Sequence, residues 1–289
     1  MSQVYLNGDF FPLEEAKVSV LDRGFLFGDG VYEVIPAFNG RLVEMQAHLD
    51  RLEDGLKAVG IEAPEPEGGW EALCRKLLES NRSLGEHRAV YLQITRGAGK
   101  TRSHIPPANL TPTVFVMVMA TGAPMTGQAQ DMKGATAITM KDRRWKRCSI
   151  KSVSLLGNLM GFDHARAGGA HDAIQINEDG YVTEACAANI FVVREGRIMT
   201  PPLSENILPG VTRALVLSVA QEDSRYACEE TAVTLSDLQQ AEEIWLTSST
   251  KEIRPIVSLD GVTVGSGEPG PVWRHIAPLF CARRDAVSS

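Results

Sequence analysis

Short stretches of alternating hydrophobic and polar positions exchange along this chain with longer stretches of helical period. Turn residues mark the changes. Val4 to Leu6 and Phe10-Phe11 flank Asn7-Gly8-Asp9. Asn-Gly between apolar pairs predicts a hairpin, because the tight turn needs positive φ at its centre. Phe25 to Phe38 mixes glycines with short apolar runs, and Asn39-Gly40 predicts a second hairpin. From Gln46 to Val59 the period becomes helical through Leu49, Leu52, Leu56 and Val59, which sets Arg51 beside the apolar stripe rather than on it. Trp70 to Leu78 reads as another amphipathic helix. Val90, Leu92 and Ile94 form one strand face, and Thr113 to Ala120 is apolar nearly throughout, as in a central strand.

Thr121 to Asp131 is small, polar and rich in breakers, which makes it a linker and places a domain boundary near residue 123. The expected division is 1–122, a linker 123–132, and 133–289. In the second part, Ala135 to Met140 reads as a strand and Leu155 to Ala167 as a helix. Hairpins are expected around Glu178-Asp179-Gly180, Glu195-Gly196 and Asp260-Gly261. Val211 to Ala220 is helical from just after Pro209-Gly210. Ser236 to Gln239 resembles a capping box, Ile244 to Leu246 is a strand, and Pro271 to Arg284 is a final helix. Hairpins interleaved with helices argue against a regular series of βαβ units.

Composition is that of an ordinary soluble globular chain: 289 residues, 44% hydrophobic and 22% charged, with a net charge of -7. That balance argues against nucleic acid or an anionic membrane as partner, although Lys141 to Arg147 is a local basic cluster. The cysteines Cys74, Cys148, Cys186, Cys228 and Cys281 have neither metal-ligand nor redox-pair spacing, which fits a reducing compartment. The first residues lack a basic region followed by an apolar core, and the longest apolar run, Val114 to Ala120, is too short to cross a bilayer. A cytoplasmic location is the expectation.

Three segments carry candidate chemistry. Lys151 follows Ile150 and several cations, a setting that can lower an amine's pKa for Schiff-base work, and equally a solvated lysine in a basic loop. Glu184 sits among small uncharged residues at a probable strand end, where a carboxylate can serve a pyridine nitrogen or simply edge a turn. Gly210-Val211-Thr212 can turn backbone N–H groups and a hydroxyl toward an anion at a helix start. Ser248-Ser249-Thr250 adds hydroxyls after a strand, though caps use the same residue types. Amine, acid and anion cradle together match what pyridoxal phosphate needs.

The chain resembles the fold-type IV pyridoxal phosphate enzymes, which include D-amino acid aminotransferases, branched-chain aminotransferases and aminodeoxychorismate lyases. The resemblance runs nearly end to end. It rests on Asp22 to Glu33 (DRGFLFGDGVYE), His48 to Leu52, Arg147 to Ser152, Thr183-Glu184 with Asn189-Ile190-Phe191, Leu208 to Arg213, and Thr247 to Glu252. It implies an α+β, two-domain fold: a small α/β domain and a larger, pseudo-barrel-like mixed domain that binds the cofactor. It further implies that Lys151 bonds covalently to the cofactor and shuttles the proton, and that Glu184 pairs with the pyridine nitrogen. Arg51, Gly210, Val211, Thr212, Ser248 and Ser249 would surround the phosphate, Leu208 would pack on the ring, and Tyr32 would line the substrate pocket. A homodimer with shared active sites is implied as well.

Arg102-Ser103-His104 is similar to the Arg-x-His segment with which D-amino acid aminotransferases bind the substrate α-carboxylate. The expected reaction is therefore ping-pong transamination between a D-amino acid and a 2-oxo acid such as pyruvate or 2-oxoglutarate. The loop from Arg96 to Arg102 is a residue longer than expected there, and Ser149 stands where those enzymes often carry aspartate. These departures keep other readings open: an (R)-selective amine transaminase, a branched-chain L-amino acid aminotransferase and, further off, an aminodeoxychorismate lyase. A protein that keeps the fold as a binding module without catalysis is the alternative of a different class.

Overall fold

The computed structural model describes residues 2–128 and 132–288, so residues 129–131 of the expected linker lie outside the described residues. The chain divides into two compact units, 1–123 with 150–154 and 288–289, and 124–149 with 155–287. The segment Ile150–Ser154 belongs to the first unit, whereas the sequence reading put all of 133–289 in the second.

In the first unit, the Asn-Gly signals close the hairpins they suggest. β1 (Gln3–Leu6) pairs with β2 (Asp9–Pro12) across Asn7 and Gly8, whose φ values are 53° and 109°. β3 (Gly30–Phe38) pairs with β4 (Arg41–Leu42) across Asn39-Gly40. Between the hairpins lies the short helix α1 (Arg23–Phe27). β5 (His87–Thr95) and β6 (Thr113–Ala120) complete a six-stranded antiparallel sheet ordered β2-β1-β6-β5-β3-β4, with β6 inside it. The helices α2 (Met45–Val59) and α3 (Gly69–Ser80) cover one face. Val31 and Ile35 from β3, Leu92 and Ile94 from β5, and Leu52, Leu73 and Leu77 from the helices form the core there. On α2 the buried positions include His48 and Arg51 as well as Leu52 and Leu56. Arg51 therefore lies on the packed face, not beside it.

The second unit is built on a nine-stranded mixed sheet. Its strands are β7 (Ala135–Lys141), β8 (Asp172–Ile176), β9 (Val182–Ala185), β10 (Asn189–Arg194), β11 (Arg197–Thr200), β12 (Cys228–Glu230), β13 (Glu243–Ser248), β14 (Glu252–Leu259) and β15 (Val262–Thr263). The order is β12-β11-β10-β13-β14-β7-β8-β9, with β15 beside β14. Strands in the middle of the sheet bury both faces, as covered sheets do. Phe191, Trp245 and Ile253 pack with α5 (Val211–Asp223) and α7 (Pro271–Ala286). Ile190, Ile244 and Leu246 pack with Leu238 of α6 (Leu235–Gln239) on the other face. The capping box of α6 is Thr234 with Asp237, not one opened by Ser236: Asp237 N–H donates to Thr234 Oγ1 at 3.0 Å, and Thr234 N–H donates back to Asp237 Oδ2 at 3.0 Å. The helix α4 (Leu156–Ala167) packs on β7 and β8.

Candidate active site

Lys151 is placed by backbone pairing within the first unit. Tyr32 N–H donates to the Lys151 carbonyl at 3.0 Å, Val153 N–H donates to the Gly30 carbonyl at 3.0 Å, and Val31 bridges Ser152. Ile150 is buried in the core of this unit. So close an approach requires glycine: a Cβ on Gly28 would lie 2.3 Å from Ser154 Oγ, and one on Gly30 would lie 2.6 Å from the Ile94 carbonyl oxygen. The Lys151 ammonium nitrogen lies 4.3 Å from the centroid of the Tyr32 ring. Tyr32 stacks on Tyr91 at 5.6 Å, and Tyr91 donates its hydroxyl to Gln93 Oε1 at 2.6 Å.

The motif from Asp22 to Glu33 organises the surroundings of this pairing. Asp22 caps α1 by accepting Gly24 N–H at 2.8 Å and also accepts the hydroxyl of Thr113 at 2.6 Å. Arg23 donates to Asp29 at 2.7 Å and to the carbonyls of Ser103 and His104 at 2.6 and 3.0 Å. Asp29 also receives Arg96 at 2.9 Å, and with these two arginines outweighing burial its carboxyl is held below the ordinary aspartate range. The Arg102 guanidinium lies 5.0 Å from the centroid of Phe27, and the His104 ring lies 5.4 Å from it. The structure thus brings Arg102 and His104 together on one aromatic ring, with both side chains exposed.

Glu33, His48 and Arg51 form a buried cluster. Glu33 accepts Arg51 Nε at 2.7 Å, Arg51 Nη2 at 2.8 Å and His48 Nδ1 at 2.7 Å. Burial raises the Glu33 carboxyl, but Arg51 and His48 outweigh it and bring its pKa to about 2. Burial lowers the His48 pKa below its ordinary value, with Glu33 acting against it, and Nδ1 faces the carboxylate.

In the second unit, Glu184 lies in β9 and is buried. It accepts Leu208 N–H at 3.0 Å, pairs with Arg144 and faces the amide of Asn189 at 3.5 Å. Arg144 also holds Asp142 at 2.7 Å. Burial pushes the Glu184 carboxyl above its ordinary value, with Arg144 and Leu208 N–H acting against it. Burial also works against the charge on Arg144, but Asp142 and Glu184 outweigh it and raise its pKa. Asn189 donates to the Leu208 carbonyl at 2.9 Å, and a Cβ on Gly210 would lie 1.9 Å from Asn189 Oδ1. One asparagine thereby holds both the acid and the turn that opens α5.

Gly210 is the N-cap of α5 and supplies no side-chain cap, so the helix begins with the amides of Val211 and Thr212. Thr247 on β13 stands opposite Asn189. Its hydroxyl is buried and has no hydrogen-bond partner among the described residues. β13 ends at Ser248, and Ser249 starts the following turn. A buried, orphaned hydroxyl opposite Asn189, whose side chain holds the turn that opens α5, is a donor that a phosphate could use, so the residues present fit the expected cofactor.

Eight of the expected residues fall into four local groups, while Val211 and Thr212 open α5 and Ser248 and Ser249 lie at the end of β13. Tyr32 and Lys151 are together, as are Arg102 and His104. Glu184 and Leu208 join Gly210 through Asn189, and Arg51 is joined to Glu33. Sequence reasoning had not singled out Glu33, Asn189 or Thr247, and it took Arg144 only as one of the cations preceding the lysine. The signals for the first three lay inside the quoted motifs. Arg144 carries no local mark of its pairing with a distant acid.

Comparison with known proteins adds independent findings. A family model described as amino-transferase class IV matches residues 30–259. The chain is 38% identical to the D-alanine aminotransferase of Bacillus licheniformis, over 95% of this chain and 94% of that protein. It is 36% identical to the D-alanine aminotransferase of Listeria monocytogenes, over 96% and 94%. The solved branched-chain aminotransferase of Thermoproteus uzoniensis with norvaline superposes with a TM-score of 0.85 at 28% identity, covering 99% of this chain and 95% of that one.

Proposed function

The chain belongs to the amino-transferase class IV family, and on that premise we propose a residue-by-residue account of how it transfers an amino group between a D-amino acid and a 2-oxo acid with pyridoxal phosphate. It is an aminotransferase of the fold-type IV class. The observation that carries the substrate reading is the near full-length similarity to D-alanine aminotransferases, at higher identity than to the branched-chain enzyme.

Pyridoxal phosphate, when bound, supplies an electron sink for the charge left when the substrate Cα loses its proton. Lys151 would hold the cofactor through its Nζ, and the same Nζ, as a free amine, would serve as the base that accepts the substrate Cα proton and as the acid that delivers it again, on one face throughout. Tyr32, under that nitrogen, limits its swing and lines the substrate pocket. Glu184, a buried carboxylate, would keep the pyridine nitrogen protonated by its negative charge. Asn189 and Arg144 orient this carboxylate. Arg51, Gly210, Val211, Thr212, Ser248 and Ser249 receive the phosphate, with Thr247 as a further donor, and Leu208 packs on the ring. Arg102 and His104 bind the substrate carboxylate. One residue set serves both half-reactions, which gives ping-pong kinetics.

The same reading takes the protein as a homodimer that shares residues between active sites. Its support is the exposure of Val20, Phe25 and Ile105 in the first unit and of Leu156, Leu159 and Met160 in the second. It also places the protein in the cytoplasm, consistent with five free cysteines. No helix of the described residues is long and apolar enough to cross a membrane.

An amino-donor panel of D-alanine, D-glutamate, L-leucine and (R)-1-phenylethylamine, with pyruvate and 2-oxoglutarate as acceptors, tests the reading. The expected result is turnover of the D-acids. Turnover of L-leucine alone would establish the branched-chain activity instead, and preference for the amine would establish the (R)-amine activity. Sedimentation of the holoenzyme tests the dimer.

A further inference from the structure

Apart from the residues assigned above, the first unit contains an open surface pocket of about 550 Å³. It lies where the carboxyl end of α3, the turn Asn39-Gly40 and the start of β5 come together. Arg75, Arg82 and Arg88 line it, with Leu78, Glu79 and Glu86. Two of the arginines are already paired, Arg75 with Glu71 at 2.7 Å and Arg82 with Glu79 at 2.6 Å.

Arg88 differs from them. It is 5% exposed, and one Nη donates to the Leu78 carbonyl at 2.6 Å. Among the described residues its buried Nε has no hydrogen-bond partner, and no Asp or Glu forms an ion pair with it. A buried guanidinium without a counter-ion carries an uncompensated desolvation cost. The carbonyl near the helix end offsets part of that cost but leaves the charge unmatched.

We propose that this cavity binds a small organic anion, a carboxylate or a phosphate monoester, whose acidic head pairs with Arg88. Its body lies along Leu78 and the Asn39-Gly40 turn. The depression is open to solvent and wide enough for the body of a small organic anion beside its acidic head. Arg82, on the exposed rim, offsets the charge of Glu79 beside the anion, and Glu86, also exposed, offers an acceptor to a hydroxyl on the body of the ligand.

Holoenzyme reduced with borohydride keeps the cofactor's own site filled. Calorimetric titration of it with citrate, glycerol 3-phosphate and inorganic phosphate tests the proposal. Saturable binding of at least one organic anion is expected, roughly tenfold weaker or more in Arg88→Met, the loss of one charge-assisted contact. Arg102→Ala should leave this binding unchanged, which separates it from the substrate-carboxylate site. Arg82→Glu, on an exposed side chain, should weaken it severalfold, and this arm decides the matter if Arg88→Met does not fold. The proposal is overturned by absence of saturation in the millimolar range, by binding of inorganic phosphate as tight as that of the organic anions, or by unchanged affinity in Arg88→Met or Arg82→Glu.

Discussion

Glu33 takes both Nε and Nη2 of Arg51, at 2.7 and 2.8 Å, with the carboxylate wholly excluded from solvent. A two-pronged contact of this kind fixes the plane of the guanidinium as well as its position. Arg51 is proposed as a phosphate ligand, so Glu33 would determine where the remaining donors point. Glu33→Gln should lower the unfolding free energy by about 3 kcal/mol or more, because it leaves a buried guanidinium uncompensated. It should also weaken cofactor binding. Urea unfolding of the apoenzyme and a cofactor titration check the two effects. A stability change under about 0.5 kcal/mol, the size of an ordinary surface substitution, would remove the pair from this account.

Acid should destabilise the protein in two steps. His48 is held below its ordinary value of 6.5, so the unfolded chain binds that proton first and stability declines as pH falls through 6.5. Glu33, at about 2 in the fold against 4.5 ordinarily, contributes stability that is present above 4.5 and lost as pH falls toward 2. Urea midpoints measured from pH 8 down to pH 3 should show both slopes. His48→Asn should remove the upper one alone, and a profile unchanged by it would contradict the lowered His48 pKa.

Glu184→Gln should reduce turnover roughly 10²–10⁴-fold, the range for losing a positioned proton-handling group, while Lys151 still binds cofactor. The visible absorption of the holoenzyme separates these outcomes. Turnover within about twofold of the parent, far short of any positioned-group effect, would contradict the pyridine-nitrogen role.

Thr247 offers a test with opposite signs in two states. Its hydroxyl is buried and orphaned, so Thr247→Val should leave the apoenzyme equally or more stable. The same change should weaken cofactor binding by roughly tenfold, one hydrogen bond to a charged group. Loss of apoenzyme stability with unchanged cofactor affinity would make Thr247 a structural residue only.

Arg102→Ala should raise KM for D-alanine by roughly 10–100-fold, a charge-assisted contact of about 1.5–3 kcal/mol. Any turnover of (R)-1-phenylethylamine, which has no carboxylate, should be unaffected. Phe27→Ala should shift D-alanine in the same direction, because the ring supports Arg102 and His104. Equal losses on both donors would contradict carboxylate binding.

What the sequence determined by itself was local. The turns at Asn7-Gly8, Asn39-Gly40 and Asp260-Gly261 follow from residues that tolerate positive φ. Most helices and strands follow from periods visible within one window. The ordered motifs around Lys151, Glu184 and Gly210 identified the family before any contact was known. The capping box of α6 slipped by two residues, because Thr234 and Ser236 are both plausible caps and only the backbone decides which N–H is unsatisfied. Tertiary structure alone decided the partnerships: Glu33 with Arg51, Arg144 with Glu184, Asn189 with the α5 turn, and Phe27 with Arg102 and His104. It also put Lys151 in the first unit, by pairing its segment with β3. Such contacts join residues far apart in sequence, and a buried charge takes its partner from whatever the fold brings alongside. No local period or turn signal carries that information.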